Sequence, residues 1–394
     1  MFFRLAVFLL LVNFLSCTGL HVHNIADIHA RESANLTPLL ARVDDIPQAF
    51  YGSDNKYHIA YELILTNYYK LTGVVKTISI KNAYDNQTIH TLSKSELASR
   101  MRPFGSQIFN NNLDAGQTGV VFVHLIFENK DTIPALLTHE IDVNFLNNNK
   151  IENTAIEQVA RIEVNLGEPI IIGAPLKGAR FVAADSCCDS TRHVRAGLPI
   201  NGKLKYAQRF AVDYEQIDTH HKIYKDSQTQ LTNFHIYGQE ALAVAPGIIV
   251  KVVDGIKESS PGAFPRDTTL ENADGNSVIL KIAPQQYALY AHLQPHSIRV
   301  KVGDQVVTGQ TLGLVGNSGN SLAPHLHFQV MDSPSALNAN GLPYLIDSYV
   351  VVALGQSTED FDRAESSGIG LSLKSSGHEK INNAYPMDLS VLSF

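Results

Sequence analysis

Two histidines one residue apart, His325 and His327, close the stretch TLGLVGNSGNSLAPHLHF (Thr311–Phe328). Successive side chains of a strand point to opposite faces. An extended run from His325 to Val330 therefore sets both imidazoles on one face and Leu326 and Phe328 on the other. Two imidazoles on one face suit a metal ion or a reacting group. The Gly-, Asn- and Ser-rich loop Gly316–Ser321 leads to them, and Pro324 stiffens the approach. In YALYAHL (Tyr287–Leu293), alternation puts Tyr290 and His292 on one strand face. Asp213 ends the strand-like run Gln208–Asp213, and His193 lies upstream. Between them Asn201-Gly202 is a strong hairpin signal. A turn there runs the segments carrying His193 and Asp213 antiparallel, near one another but off ideal register, so that a bulge or wider turn is needed to join them.

Two histidines and a carboxylate are a common catalytic zinc set that keeps a fourth position open for water. Zinc lowers the pKa of that water and polarises a carbonyl. Two further histidines suit a general base and a donor to a developing oxyanion. The candidates are thus His193, Asp213, His292, His325 and His327.

The elements that must position these residues read as short β-like runs broken by Gly, Pro, Asn and Asp, so the chain is expected to be mostly β. Tyr57–Leu65, Val74–Ile80, Val120–Phe127 and Glu140–Phe145 alternate apolar and polar residues in part, with turn-prone stretches between them. That spacing predicts an N-terminal β-sandwich, immunoglobulin-like, over residues 20–165. Ser95–Arg100 reads as a short helix. Residues 166–351 form a second, β-rich domain that holds all five candidates. Residues 352–394 read as a partly ordered C-terminal extension. The loop Gly316–Ser321 and the insertion Lys257–Asn276 are expected to border the site, because loops carry function.

The second domain resembles the lysostaphin/LytM-type zinc metallopeptidases, peptidoglycan endopeptidases of the duplicated hybrid motif fold. The resemblance runs from about His193 to Asp332. It is densest in Tyr290-Ala291-His292-Leu293, Val302-Gly303-Asp304, Gly309-Gln310, Gly316-Asn317-Ser318-Gly319 and Pro324-His325-Leu326-His327-Phe328. It implies Zn2+ on His327 and Asp213, with His292 and His325 flanking the activated water and the scissile carbonyl. It further implies an endopeptidase acting on stem or cross-bridge peptides of bacterial cell-wall peptidoglycan. The family usually spaces its other two ligands H-x-x-x-D, but Arg209 stands four residues before Asp213. Arginine offers only donors and cannot bind zinc. Either His193 supplies the ligand across the hairpin, or His220 or His221 does, or the site lacks one. In that last case the chain would be a catalytically degenerate member that binds cell wall or activates another wall hydrolase. A carbohydrate-binding envelope protein working through its sandwich is a third reading.

The chain has 394 residues and a net charge of −7, which carries no electrostatic footprint for nucleic acid. Arg4, the apolar run Leu5–Leu15 and the small residues Ser16-Cys17-Thr18-Gly19 have the layout of a secretory signal peptide over residues 1–19. Cys17 is also a candidate lipid anchor. The mature chain is expected outside the cytoplasm (periplasmic, envelope-associated or secreted). Beyond that segment no stretch is apolar and long enough to span a bilayer. Cys187 and Cys188 are adjacent, unlike a C-x-x-C zinc pair, and read as reduced or bridged to each other. His21-Val22-His23 lacks the Gly-rich context and reads as tail.

Overall fold

The computed structural model describes residues 36–262 and 265–394. The signal-peptide segment 1–19, with Cys17, and the His21/His23 pair lie outside them. Everything below belongs to the compact unit Pro38–Phe394. No helix among the described residues is long and apolar enough to cross a membrane.

The first part contains two five-stranded antiparallel sheets. One joins Leu39–Val43, Tyr57–Asn67, Thr118–Phe127 and Met101–Pro103, with Phe50–Tyr51 added to Tyr57–Asn67. The other joins Lys150–Glu163, Leu136–Asn147, Thr72–Asn82 and Thr88–Leu92, with Asn112–Leu113 added to Thr72–Asn82. Alternate residues of facing strands, among them Ile59, Leu63, Val123, Val75, Ile78 and Phe145, form one buried cluster between the sheets. The alternation is imperfect in Tyr57–Asn67 because its other face is covered too. His58, Ala60, Glu62 and Ile64 are all buried, as expected of a strand packed on both sides. Ala60 shares a cluster with Phe210 and Tyr385, and Val120 and Phe122 pack on Tyr206. The predicted helix runs Lys94–Arg100, its start closed by a capping box between Ser93 and Glu96.

The second part is an eleven-stranded sheet. Its middle runs Phe181–Ala184, Val212–Gln216, Leu326–Met331, Gln286–Leu293, Asn276–Ala283 and Gly247–Val253, all antiparallel. Three sequence expectations change here. The Asn201-Gly202 hairpin forms, but only as Leu198–Ile200 paired with Lys203–Lys205, so it carries neither His193 nor Asp213. Asp213 is opposed instead by Ala184, and Gln208–Phe210 is a turn rather than strand. Residues 353–394 are no loose extension. The helix Thr358–Ser367 and the strands Leu373–Ala384 and Ser390–Ser393 follow one another, and Ser390–Ser393 lies between Tyr344–Gly355 and Phe181–Ala184 within the sheet. Leu373–Ala384 shows no alternation in sequence because most of its side chains face water. Cys187 and Cys188 are bridged to each other.

A buried ion pair ties the two parts together. Arg209 Nε donates to Glu62 Oε1 at 2.8 Å and Nη2 to Glu62 Oε2 at 2.5 Å, with Asp45 Oδ2 3.1 Å away. Removing one member of such a pair leaves the other charge buried and uncompensated. Arg209→Met is expected to destabilise the protein by about 3–5 kcal/mol, read from its urea-unfolding midpoint. Arg209→Met combined with Glu62→Leu should recover most of that loss. Equal midpoints for the single variant and wild type would show that the pair contributes nothing.

Candidate active site

Asp213 meets three histidines, His193, His325 and His327, and a fourth, His292, lies beside the last two. On the strand Val212–Gln216 Asp213 is opposed by His327 of Leu326–Met331. His327 is opposed in turn by Ala291 of Gln286–Leu293. His327 Nδ1 lies 2.9 Å from Asp213 Oδ1, and His325 Nε2 lies 3.4 Å from the same oxygen. His193 Nε2 is 3.3 Å from Asp213 Oδ2. His193 arrives from the irregular loop 185–197 that follows the strand Phe181–Ala184, not from a hairpin strand. The ring of His292 is 4.7 Å from that of His325 and 5.8 Å from that of His327.

His292 reaches this group through a departure from alternation. Tyr290 opposes Phe328 and packs with it in the large core cluster, so regular alternation would send His292 to that side as well. One extra residue enters the strand between Tyr290 and Leu293 relative to its partner Asn276–Val278. His292 itself has φ 61°, in the left-handed region. This bulge turns its imidazole toward His325. The expectation that Tyr290 and His292 share a face is therefore corrected. The glycine-rich loop holds the bulge in place: His292 Nδ1 donates to Ser318 O at 2.7 Å, and Ser318 Oγ donates to Leu293 O at 2.7 Å. Gly319 (φ 77°) and Gly275 (φ 60°) let these two backbones meet, since a Cβ on either would collide with the other loop's main chain.

The hydrogen bonds also assign the ring nitrogens. His193 Nδ1 donates to Asp185 O at 3.0 Å and His325 Nδ1 to Ala323 O at 2.8 Å. In the neutral rings the Nε2 lone pairs are then turned toward Asp213 or the cavity. Gln329 Nε2 donates to Ala207 O, which leaves its Oε1 to accept from His327 Nε2 at 2.8 Å. The Nδ1 of a neutral His327 is thus a lone pair facing Asp213. Lone pairs of His193, His325 and His327 converge on one carboxylate, an arrangement that requires extra protons or a cation. Ligating atoms of His193, Asp213 and His327, and separately of His292, His325 and His327, lie within 4.8 Å of one another.

The electrostatics follow from the same geometry. Burial opposes the charge on Asp213, but the imidazoles of His193, His325 and His327 hold it well below the usual carboxylate range. Burial likewise opposes a charge on His193, yet the adjacent Asp213 carboxylate raises it to about 9. Burial, helped by His325 and His327, pushes His292 well below the ordinary histidine range.

The histidines open on a cavity of about 390 Å³. Asn320 of the glycine-rich loop and Ala273 and Asp274 at the end of the 257–276 insertion line it, as expected of those two loops. Phe361 and Glu365 of the helix Thr358–Ser367 line it as well. The sequence marks this helix only by its ends, the N-cap Ser357 and the left-handed Gly368, and nothing in the sequence pattern marks Gln329. Glu215, two residues after Asp213, is buried against Glu365. Burial pushes Glu215 well above the carboxylate range and Glu365 up to about 7. Arg209 points away from the cavity to Glu62. His220 and His221 lie in a turn anchored on Asp218 and do not line the cavity.

In chelator-treated protein, the proton on His193 is expected to persist at pH 7 and leave near pH 9. His292 should still be neutral where a free histidine is half protonated, near pH 6.5. Imidazole 15N NMR reads both. Because the His193 pKa is raised on folding, its contribution to stability is complete below about 6.5 and lost as pH rises through about 9. A His193 signal titrating near 6.5 would contradict the Asp213 contact.

The model for peptidase family M23 matches residues 234–339, a span that contains His292, His325 and His327 but neither His193 nor Asp213. Glycyl-glycine endopeptidase ALE-1 of Staphylococcus capitis is 45% identical over 58 residues, 14% of this chain and 16% of that protein. Peptidoglycan DD-endopeptidase ShyA of Vibrio cholerae serotype O1 is 37% identical over 65 residues, 16% of this chain and 15% of that protein. The matches thus span about a sixth of these relatives' length. The solved catalytic domain of lysostaphin from Staphylococcus simulans aligns at 24% identity and a TM-score of 0.23, over 41% of this chain and 88% of that one. The segment 234–339, which carries His292, His325 and His327, thus matches peptidase family M23 and is similar to peptidases of the lysostaphin/LytM type.

Proposed function

We propose that this protein is a zinc-dependent endopeptidase that hydrolyses peptide bonds of bacterial cell-wall peptidoglycan. The observation that carries the reading is the convergence of imidazole lone pairs on the Asp213 carboxylate. The donor set fits zinc. His193 Nε2 and His327 Nδ1 lie 3.3 and 2.9 Å from the Asp213 carboxylate, and two imidazoles with one carboxylate are a donor set that zinc accepts. His193 Nε2, Asp213 and His327 Nδ1 would hold the ion. His193 takes the place that the H-x-x-x-D spacing gives to residue 209. Gln329 orients His327 through its second nitrogen, and Asp185 O does the same for His193, as outer partners of metal ligands do. Zinc at this position supplies Lewis acidity to water and to a carbonyl.

The remaining histidines supply the proton chemistry. His292 and His325 each commit Nδ1 to a backbone carbonyl and leave Nε2 for the cavity. An unprotonated Nε2 accepts the proton of attacking water. Once protonated, it donates to the oxyanion or to the departing amine. The low basicity of His292 keeps it neutral, and hence ready to accept, at physiological pH. Two of the relatives are by name endopeptidases, one of glycyl-glycine bonds and one of peptidoglycan, which supports the same reaction class here. The signal-peptide layout of residues 1–19 supports action outside the cytoplasm. We assign the N-terminal sandwich, read as immunoglobulin-like, an accessory role beside the peptidase body.

Metal analysis of the mature chain should find about one zinc per molecule, and His193→Ala should lose it. His292→Ala and His325→Ala should keep the zinc and lose about 10²–10⁴-fold in wall-peptide hydrolysis. No zinc in wild type after dialysis against the metal would end the catalytic reading and transfer the function to wall binding or hydrolase activation.

A further inference from the structure

His193 is the one proposed ligand without regular structure beneath it. Residues 185–197 contain no strand or helix, so the position of the imidazole depends on side-chain contacts made by the loop. Some are internal to this part of the chain. Ser190 Oγ donates to Asp185 Oδ1 at 2.9 Å, and Arg192 links Asp185 to Asp362 at 2.6 Å on each side. The other contacts are made to the N-terminal sandwich. Asp189, four residues before His193, pairs with Arg100 Nη2 at 2.5 Å and with His124 Nδ1 at 3.2 Å. His124 is itself tied through His58 to Asp54, at 2.9 Å for each link. Arg195, two residues after His193, donates to Ser99 O and lies 5.1 Å from the Phe109 ring. Arg102 Nη2 reaches Arg195 O at 3.4 Å. Asp189 and Arg195 bracket the histidine, and both are held by residues 65 to 96 positions earlier in the chain.

We infer that the N-terminal sandwich is a working part of the metal centre: Arg100, His124 and the Ser99 carbonyl are positioning groups that hold the 185–197 loop so that His193 meets Asp213. This rests on the zinc reading above and gives the sandwich a task other than finding substrate. The Arg209–Glu62 pair belongs to the same joint. It holds the turn before Asp213 against the sandwich, just as Asp189 and Arg195 hold the loop before and after His193. The two ligands supplied from outside the 234–339 segment are thus the two placed by contacts with the sandwich.

The test uses the full mature chain. Asp189→Ala, Arg100→Ala, Arg100→Lys and His193→Ala are compared with Lys76→Ala, which breaks the sandwich's exposed pair with Asp142 far along the chain from the loop. Zinc affinity is measured by competition with a chromophoric chelator. The visible spectrum of the cobalt(II)-substituted protein reports the ligand set, and the melting temperature of metal-free protein reports folding. Asp189→Ala and Arg100→Ala are expected to weaken zinc binding by about ten-fold or more and to shift the cobalt spectrum toward that of His193→Ala. Lys76→Ala should change neither, and Arg100→Lys should recover part of the affinity. If Asp189→Ala does not fold, the Arg100 variants decide. Wild-type affinity and spectrum in Arg100→Ala, with wild type itself holding zinc, would overturn this inference alone. A wild type that binds no zinc would overturn the zinc reading and this inference with it.

Discussion

The attraction between one half-buried carboxylate and the imidazoles around it is the constraint that the rest of the structure serves. Asp213 is flanked in the sheet by Ala184 on one strand and His327 on the other. Ala184 has no bulk on that face, which leaves room for His193 to come in from the loop that follows. A partly buried carboxylate at the wall of a cavity keeps its charge with the help of the imidazoles around it. The second nitrogens of His193, His325 and His327 are each held by an oxygen (Asp185 O, Ala323 O and Gln329 Oε1). The rings are thereby oriented before any ligand arrives, which is how a site acts without reorganising.

A second constraint lies at the joint between the two parts. The strand Tyr57–Asn67 is buried on both faces, one against its own sandwich and one against the peptidase body. A polar residue on the second face must find a partner there, and Glu62 finds Arg209. This explains an arginine at the position where a metal ligand is usual for the resemblance. The side chain is committed to a buried ion pair, and the imidazole that approaches Asp213 comes instead from His193 on a neighbouring loop. Buried pairs of this kind are costly to break rather than strongly stabilising in themselves, so the pair fixes how the two parts fit more than how stable they are.

Local backbone chemistry supplies the third element. The bulge at His292 places a non-glycine residue at positive φ, a conformation that costs free energy and persists only where surroundings over-determine it. Here they do, through Ser318 on both sides of the bulge and through the close approach of Gly275 and Gly319. The Gly-Asn-Ser-Gly-Asn loop thus acts less as a flexible flap than as a bracket for His292.

Much of this was legible in the residues themselves. Alternating runs marked the β elements, because burial on one face of a strand imposes a period of two. The H-x-H pair, the YAHL strand and the Gly-rich loop marked the chemistry, because those types at those spacings have few other uses. Other features were decided by the tertiary structure. Alternation cannot reveal an inserted residue, so the face of His292 was misread. Hairpin chemistry at Asn201-Gly202 fixes the local turn but not how far its strands continue, so His193 reaches Asp213 by a loop and not along the hairpin. Leu373–Ala384 carries polar, water-facing residues and so lacks a periodic signal, while the buried Ser390–Ser393 takes its place in the sheet by pairing with Phe181–Ala184, some 200 residues earlier. Pairwise contacts across such distances, Arg209 with Glu62 and Asp189 with Arg100, leave no mark in local sequence, since each partner alone looks like an ordinary surface charge. Residue types and short spacings determined what chemistry the chain could do. Long-range packing decided which residues meet to do it.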